Sequence, residues 1–274
     1  MKIKNFYQFG IVQGRLIQSP PGCLQWFPQD FWESEFFLAS SIGFGFVELI
    51  AETYHNEKNP LWRNEGIDKI NALVKKNNLI IPTLCNDFIV KNPFTKQEVV
   101  DQNITLLQRG KLLGISKYIM PFFEVSELRA DNYELYKDGL ITVADAAKEL
   151  GIEVTIETIL NGKELITFLE KINHSNIRCV FDTGNRIAYG HNIYSDIIDL
   201  GNAISHFHIK DKNQQNENVL LGTGLVDFMR VFKSLNAINY QGLLTFETTR
   251  GKNPIDTAKM HKQYIEFFIN ETSK

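Results

Sequence analysis

Four apolar runs in the second half of the chain carry, near their C-terminal ends, residues that can ligate a cation or move a proton. Val154-Thr-Ile-Glu157, Cys179-Val-Phe-Asp182, Ser205-His-Phe-His-Ile-Lys-Asp211 and Leu243-Leu-Thr-Phe-Glu247 supply Glu157, Asp182, His208 and Glu247. In the third run His206, His208 and Lys210 alternate with apolar residues, so all three project from one face of a strand. Two imidazoles and an ammonium on a buried strand are costly to desolvate unless something there needs them. Each of the four ligand candidates, taken alone, reads equally well as a hydrogen-bonded polar group at a strand end. Together they describe a metal site. Three carboxylates and one imidazole form a hard, oxygen-rich set, which suits Mn²⁺, Mg²⁺ or Co²⁺ better than a structural zinc. Mn²⁺ is the expected ion, with Mg²⁺, Co²⁺ or Zn²⁺ as alternatives.

Such residues converge only if the strands beneath them are neighbours. The spacing predicts strands at 9–12, 45–50, 79–84, 117–120, 152–157, 177–182, 204–209 and 242–247. It predicts helices at about 30–41, from 64, and at about 96–113, 132–150, 162–172, 194–200, 226–235 and from 254, with Asp30 as the first N-cap and Pro254 at a first helical position. Eight strand–helix alternations fit a (β/α)₈ TIM barrel of class α/β. No linker or low-complexity stretch divides the chain, so one domain over 1–274 is expected. A doubly wound open sheet would carry a glycine-rich phosphate loop after its first strand, and Gly10-Ile-Val-Gln-Gly14 is not one. In a barrel the chemistry sits at the C-terminal strand ends, and strands ~4.8 Å apart let four successive ends meet at one ion.

The composition narrows the class. A formal charge of −3 argues against a general nucleic-acid binder, which needs a basic surplus. Cys23, Cys85 and Cys179 have no paired spacing, as expected of a reduced intracellular protein. The start, Met1-Lys-Ile-Lys-Asn-Phe-Tyr-Gln, lacks the apolar stretch of a signal peptide. No run reaches the ~20 apolar residues of a membrane span. A cytoplasmic protein without membrane or nucleic-acid partners is the expectation.

On these residues the chain resembles the xylose-isomerase-like TIM-barrel superfamily, in particular sugar and sugar-phosphate isomerases and epimerases of the ketose 3-epimerase type. The likeness runs along almost the whole chain. It is most specific at Thr155-Ile-Glu157, Phe181-Asp-Thr-Gly-Asn185, His206-Phe-His-Ile-Lys-Asp211, Gly222-Thr-Gly224 and Phe246-Glu247, and extends to Gln13-Gly-Arg-Leu16 and Glu48. The resemblance implies that Glu157, Asp182, His208 and Glu247 bind one divalent ion and that the two glutamates also transfer protons. A ketose held through its carbonyl would lose a proton from the adjacent carbon to one carboxylate, and the other would return one to the far face, inverting the centre, by hypothesis at C3. Reprotonation at the neighbouring carbon would give an aldose–ketose isomerase. The same enediolate losing water would make a keto-sugar or inosose dehydratase. An apurinic endonuclease of the same superfamily would need further ligands, mostly histidines, on strands two and three, where this chain has Glu48 and Cys85-Asn-Asp87. A sugar-binding barrel without activity is the remaining alternative, and it has no need of paired acid and base.

Further residues each have a functional and a bland reading. Many relatives carry histidine where this chain has Asn185. The Asp-x-Gly-Asn form resembles the branch acting on phosphorylated ketoses, although asparagine suits a free hydroxyl equally. Arg15 and Arg250 follow the first and last strands and would bind a phosphate or sugar hydroxyl, or form a surface salt bridge. Glu48 closes the second strand as a substrate contact or a structural hydrogen bond. His206 is a substrate contact, a partner orienting a ligand, or a satisfied core histidine. Lys210 stabilises an oxyanion or pairs with a ligand carboxylate. Trp26, Phe27 and Trp62 would wall the sugar or pack loop on loop, and Asp87 would touch substrate or merely be polar. Leu221-Gly-Thr-Gly224 reads as a tight turn, near a phosphate if one is bound. The implied partner is a small sugar or sugar phosphate, and the resemblance allows a homodimer or tetramer.

Overall fold

The structure, a computed structural model, describes residues 7–272; the first six residues, which carry most of the leader reading, lie outside it. Strands β1 Gln8–Val12, β2 Phe46–Ala51, β3 Thr83–Asn86, β4 Lys117–Pro121, β5 Glu153–Glu157, β6 Ile177–Asp182, β7 Ile204–Ile209 and β8 Leu243–Phe246 run parallel and close in chain order, β8 against β1. The main helices between and after them are Trp32–Ile42, Asn64–Lys76, Gln97–Leu112, Glu134–Glu149, Gly162–Ile172, Ile193–Leu200, Phe228–Ala237 and Pro254–Thr272. This is the expected (β/α)₈ barrel. Among the described residues no helix is long and apolar enough to cross a membrane.

The helices pack by their apolar stripe. In Gly162–Ile172, Leu165, Phe168 and Ile172 are buried on one face, and Asn161 with Glu164 forms a capping box at its start. On β7 the alternation divides the strand between two environments. Phe207 stacks on Phe181 with ring centroids 5.3 Å apart, whereas His206 reaches Glu48 of β2, on the far side of the lumen.

Two expectations at element boundaries fail for local reasons. The third strand begins at Thr83, not at residue 79, because Pro82 has no N–H to give the ladder. Its carbonyl instead accepts from the backbone N–H of Ser116 and Lys117, and Ile80 forms only an isolated bridge to Phe46. The first helix starts at Trp32 with Phe31 in the cap position and no side-chain cap; Asp30 falls one residue too early.

Two close approaches fix the site's platform. Gly10 on β1 lies beneath the Phe46 ring, where a Cβ would come within 2.1 Å of it. Between β6 and β7 the register slips by one residue, Cys179 facing Ile204 but Val180 facing His206. Ser205 is the extra residue, and the slip sets Asp182 directly beside His208.

Candidate active site

Asp182 is both the last residue of β6 and the N-cap of a short helix, Thr183–Ala188, that sequence reading missed. Its Oδ1 accepts the Asn185 N–H at 2.6 Å, which leaves the buried Oδ2 facing Lys210 and the cluster. Glu157 closes β5 and Glu247 follows β8. His208 Nδ1 stands between them, 3.2 Å from Glu247 Oε2, 3.7 Å from Glu157 Oε2 and 3.9 Å from Asp182 Oδ2. Ligand atoms from all four residues lie within 4.8 Å of one another, and all four side chains are buried. A buried imidazole nitrogen and three buried carboxylates converging on one point make a donor set that could hold a divalent metal ion.

The cluster is held from outside. Lys210 Nζ is 2.8 Å from Glu247 Oε2 and 3.2 Å from Asp182 Oδ2. Arg15 Nη2 donates to Glu247 Oε1 at 3.0 Å. Asn185 Nδ2 donates to Glu157 Oε1 at 2.9 Å. These unequal surroundings separate the two glutamates. Burial pushes the Glu157 carboxyl up to about 8, and Asp182 and Glu247 add to that rise against the pull of His208. Burial would raise Glu247 too, but Lys210, a hydrogen bond with His208, and Arg15 hold it well below the carboxylate range. Burial opposes charge on His208 and Lys210, yet the surrounding carboxylates raise both above their ordinary values.

Beneath the cluster lies a polar layer sealed from solvent. Glu48 Oε2 accepts from Thr83 Oγ1 at 2.9 Å and lies 2.8 Å from His206 Nε2, while Glu48 Oε1 is 3.0 Å from His208 Nε2. Thr245 Oγ1 joins His206 Nε2 at 3.0 Å. Burial would raise the Glu48 carboxyl, but His208 and His206 hold it well below its usual range. With Nε2 facing Glu48, His208 turns Nδ1 toward the carboxylates.

A cleft of about 430 Å³ opens above the cluster, with Glu157, His208, Lys210, Glu247 and Asn185 on its floor. The other four residues expected on substrate do not reach it. Glu48 and His206 are 0% exposed, because the alternation of β2 and β7 turns them into the closed lumen. Arg15 spends its guanidinium on Glu247, Gln25 and the Thr248 carbonyl. Arg250 donates to the carbonyls of Gly14, Ile17, Cys23 and Leu24, binding the β1 loop together. The aromatic walls differ too. Phe27 is buried, Trp62 packs on His55, and Phe123 and Tyr189 line the cleft in place of the expected set.

Sequence reading also missed Glu35. Its carboxylate accepts the backbone N–H of Gly14 and Leu16 at 2.8 and 3.2 Å, and burial raises it to about 7. That bond pins the turn that presents Arg15, at a Gly14 whose φ of 85° excludes most side chains. Among flanking Phe and Trp residues an acid in a helix gives no signal. Asp87 does line the cleft, where burial and Glu247 raise it to about 7. A second cavity of about 510 Å³ opens at the opposite end of the barrel, among Lys117, Arg178 and Leu243 at their strands' first turns, remote from the carboxylates.

The architecture belongs to a known class: the family described as "Xylose isomerase-like TIM barrel" matches residues 36–270, and the chain belongs to it. Among individual proteins, a stretch of 114 residues is 34% identical to a ketose 3-epimerase of Arthrobacter globiformis, covering 39% of this chain and 38% of that protein. Over 264 residues it is 24% identical to the putative L-ribulose-5-phosphate 3-epimerase SgbU of Escherichia coli, covering 88% of this chain and 92% of that one. A solved xylose isomerase domain protein from Planctomyces limnophilus superimposes with a TM-score of 0.79 at 16% identity, over 97% of this chain and 99% of that one.

Proposed function

We propose that this chain is a divalent-metal-dependent epimerase or isomerase of a ketose or ketose phosphate, working through an enediolate with Glu157 and Glu247 as its proton-transferring pair. The observation that carries the reading is the buried convergence of Glu157, Asp182, His208 and Glu247 at the C-terminal mouth of the barrel. Relatives named as ketose and ribulose-phosphate 3-epimerases support it. The four clustered residues would hold the ion, and their three carboxylates favour manganese among the hard divalent cations. When bound, it would polarise the substrate carbonyl and stabilise the charge that develops there.

The chain's own residues do the rest. Glu157 on β5 and Glu247 beyond β8 approach the mouth from different sides of the ring. One accepts a proton from the carbon beside the carbonyl; the other, protonated, delivers one to the opposite face. The roles exchange in the reverse direction. Asn185 fixes Glu157, and Arg15 with Lys210 fixes Glu247, so both carboxylates are oriented before substrate arrives. Three free cysteines suit a reducing compartment, and a cytoplasmic setting and a single barrel domain are part of the reading.

Solvent exchange tests it directly. In D₂O with Mn²⁺ the protein should introduce deuterium beside the carbonyl of at least one ketose or ketose phosphate. Glu157→Gln and Glu247→Gln should each slow that exchange by on the order of 10²–10⁴. Calorimetric Mn²⁺ titration of each variant separates loss of proton transfer from loss of the ion. Full exchange in both variants would sink the acid–base assignment. An unsaturated product formed with loss of water would move the chain to the dehydratase alternative.

A further inference from the structure

The relatives include enzymes named for free ketoses and for ketose phosphates, so the choice for this chain falls to the cleft. A phosphate dianion needs cationic side chains or free backbone N–H groups to replace its water. The charged side chains of Arg15, Arg250, Lys210, Lys91 and Arg129 at the mouth each already have a partner within the protein. Arg15 is 2% exposed and bonded to Glu247, and Arg250 is 6% exposed and donates to four backbone carbonyls through Nε and Nη1. Lys210 lies between Asp182 and Glu247. At the rim Lys91 pairs with Glu124, and Arg129 with Glu127 and Asp131.

The glycine turn after β7 has the form of an anion cradle, and it too is filled. The N–H groups of Gly222 and Gly224 donate to Asp211 Oδ2 at 2.9 and 3.0 Å, and that of Val226 to Asp211 Oδ1 at 3.1 Å. The anion in the cradle is the chain's own carboxylate. Only Lys212, half-buried with Nζ 2.8 Å from Asn216 Oδ1, lacks a carboxylate partner on the cleft wall. Asp87, Glu124 and Glu127 line the same cleft.

From this arrangement we infer that the site takes an unphosphorylated ketose, whose hydroxyls donate to the lining carboxylates where a phosphate would meet like charge. The inference rests on the epimerase/isomerase reading and narrows its substrate. Carboxylates that accept hydrogen bonds suit neutral hydroxyl donors, and Phe123 and Tyr189 offer apolar surface to the sugar's C–H faces.

The test compares deuterium exchange by the Mn²⁺-loaded protein on matched pairs of ketoses and their terminal phosphates. The free sugar should have the higher kcat/KM by at least about tenfold, a difference of 1.4 kcal/mol. Inorganic phosphate titrated calorimetrically into the metal-free protein should give no saturable heat. A preference for the phosphates, lost in Lys212→Ala, would overturn the inference, would make Lys212 the phosphate grip, and would leave the epimerase reading standing. Saturable phosphate binding to the metal-free protein would overturn it as well. Absence of exchange on both classes would remove the function reading and this inference together.

Discussion

Glu48 shows how far a residue's role depends on what lies beyond its own strand. One carboxylate serves two imidazoles, His206 and His208, and through His208 it governs which nitrogen faces the carboxylates. In Glu48→Gln the single amide oxygen can serve only one of them, and the NH₂ group turns a donor toward the other. Mn²⁺ affinity should fall about 10–100-fold, the usual effect of removing a partner that orients a ligand. Calorimetric titration measures it, and unaltered affinity would rule out the orienting role. The four candidate ligands were legible in the sequence because each stands at or near the end of an apolar run. The role of Glu48 was not, since nothing local says that the lumen, and not the mouth, receives it.

At the scale of elements, two tethers decide how firmly the loops stand over the mouth. Arg250 gathers the segment from Gly14 to Leu24 through four carbonyls. Arg250→Ala should cost roughly 2–4 kcal/mol of stability and open the 17–25 loop to limited proteolysis. Wild-type cleavage kinetics there would contradict it. The last helix makes the second tether: His261, 0% exposed, accepts the Leu221 N–H at Nε2 across 3.2 Å. Burial lowers this histidine to about 4. The folded protein therefore keeps it neutral while the unfolded chain, titrating near 6.5, takes up a proton. Stability from this group is intact above pH 6.5, declines as the pH falls, and is fully lost near pH 4. By pH 5 the loss is about 2 kcal/mol. Urea midpoints at pH 7 and 5 should converge more closely in His261→Gln than in the wild type; equal pH dependence in both would show that His261 is not the source. Helices, strands and turn glycines were readable as local pattern, whereas both tethers join segments more than 35 residues apart.

Across the whole molecule, the four candidate ligands come from β5, β6, β7 and the end of β8, a contiguous half of the closed ring. An ion held there must be released before that half can separate, so it stabilises the entire barrel by linkage. At a free Mn²⁺ concentration of 100 times Kd the gain should be about 2.7 kcal/mol. Chelation should lower the urea midpoint accordingly and restored Mn²⁺ should recover it. A midpoint indifferent to the ion would place its binding elsewhere.

The sequence by itself determined the barrel, the strand that carries two histidines just ahead of a lysine, and the four groups near the strand ends. Those follow from alternation and from helix periodicity, which act over neighbouring residues. Only the tertiary structure decided that Asp182 stands beside His208, which needs the one-residue slip at Ser205. It alone sent Arg15 and Arg250 into protein contacts and filled the glycine cradle with Asp211. Hydrogen-bond donors go to whichever acceptor the closed ring brings within reach, and that proximity is absent from any local pattern.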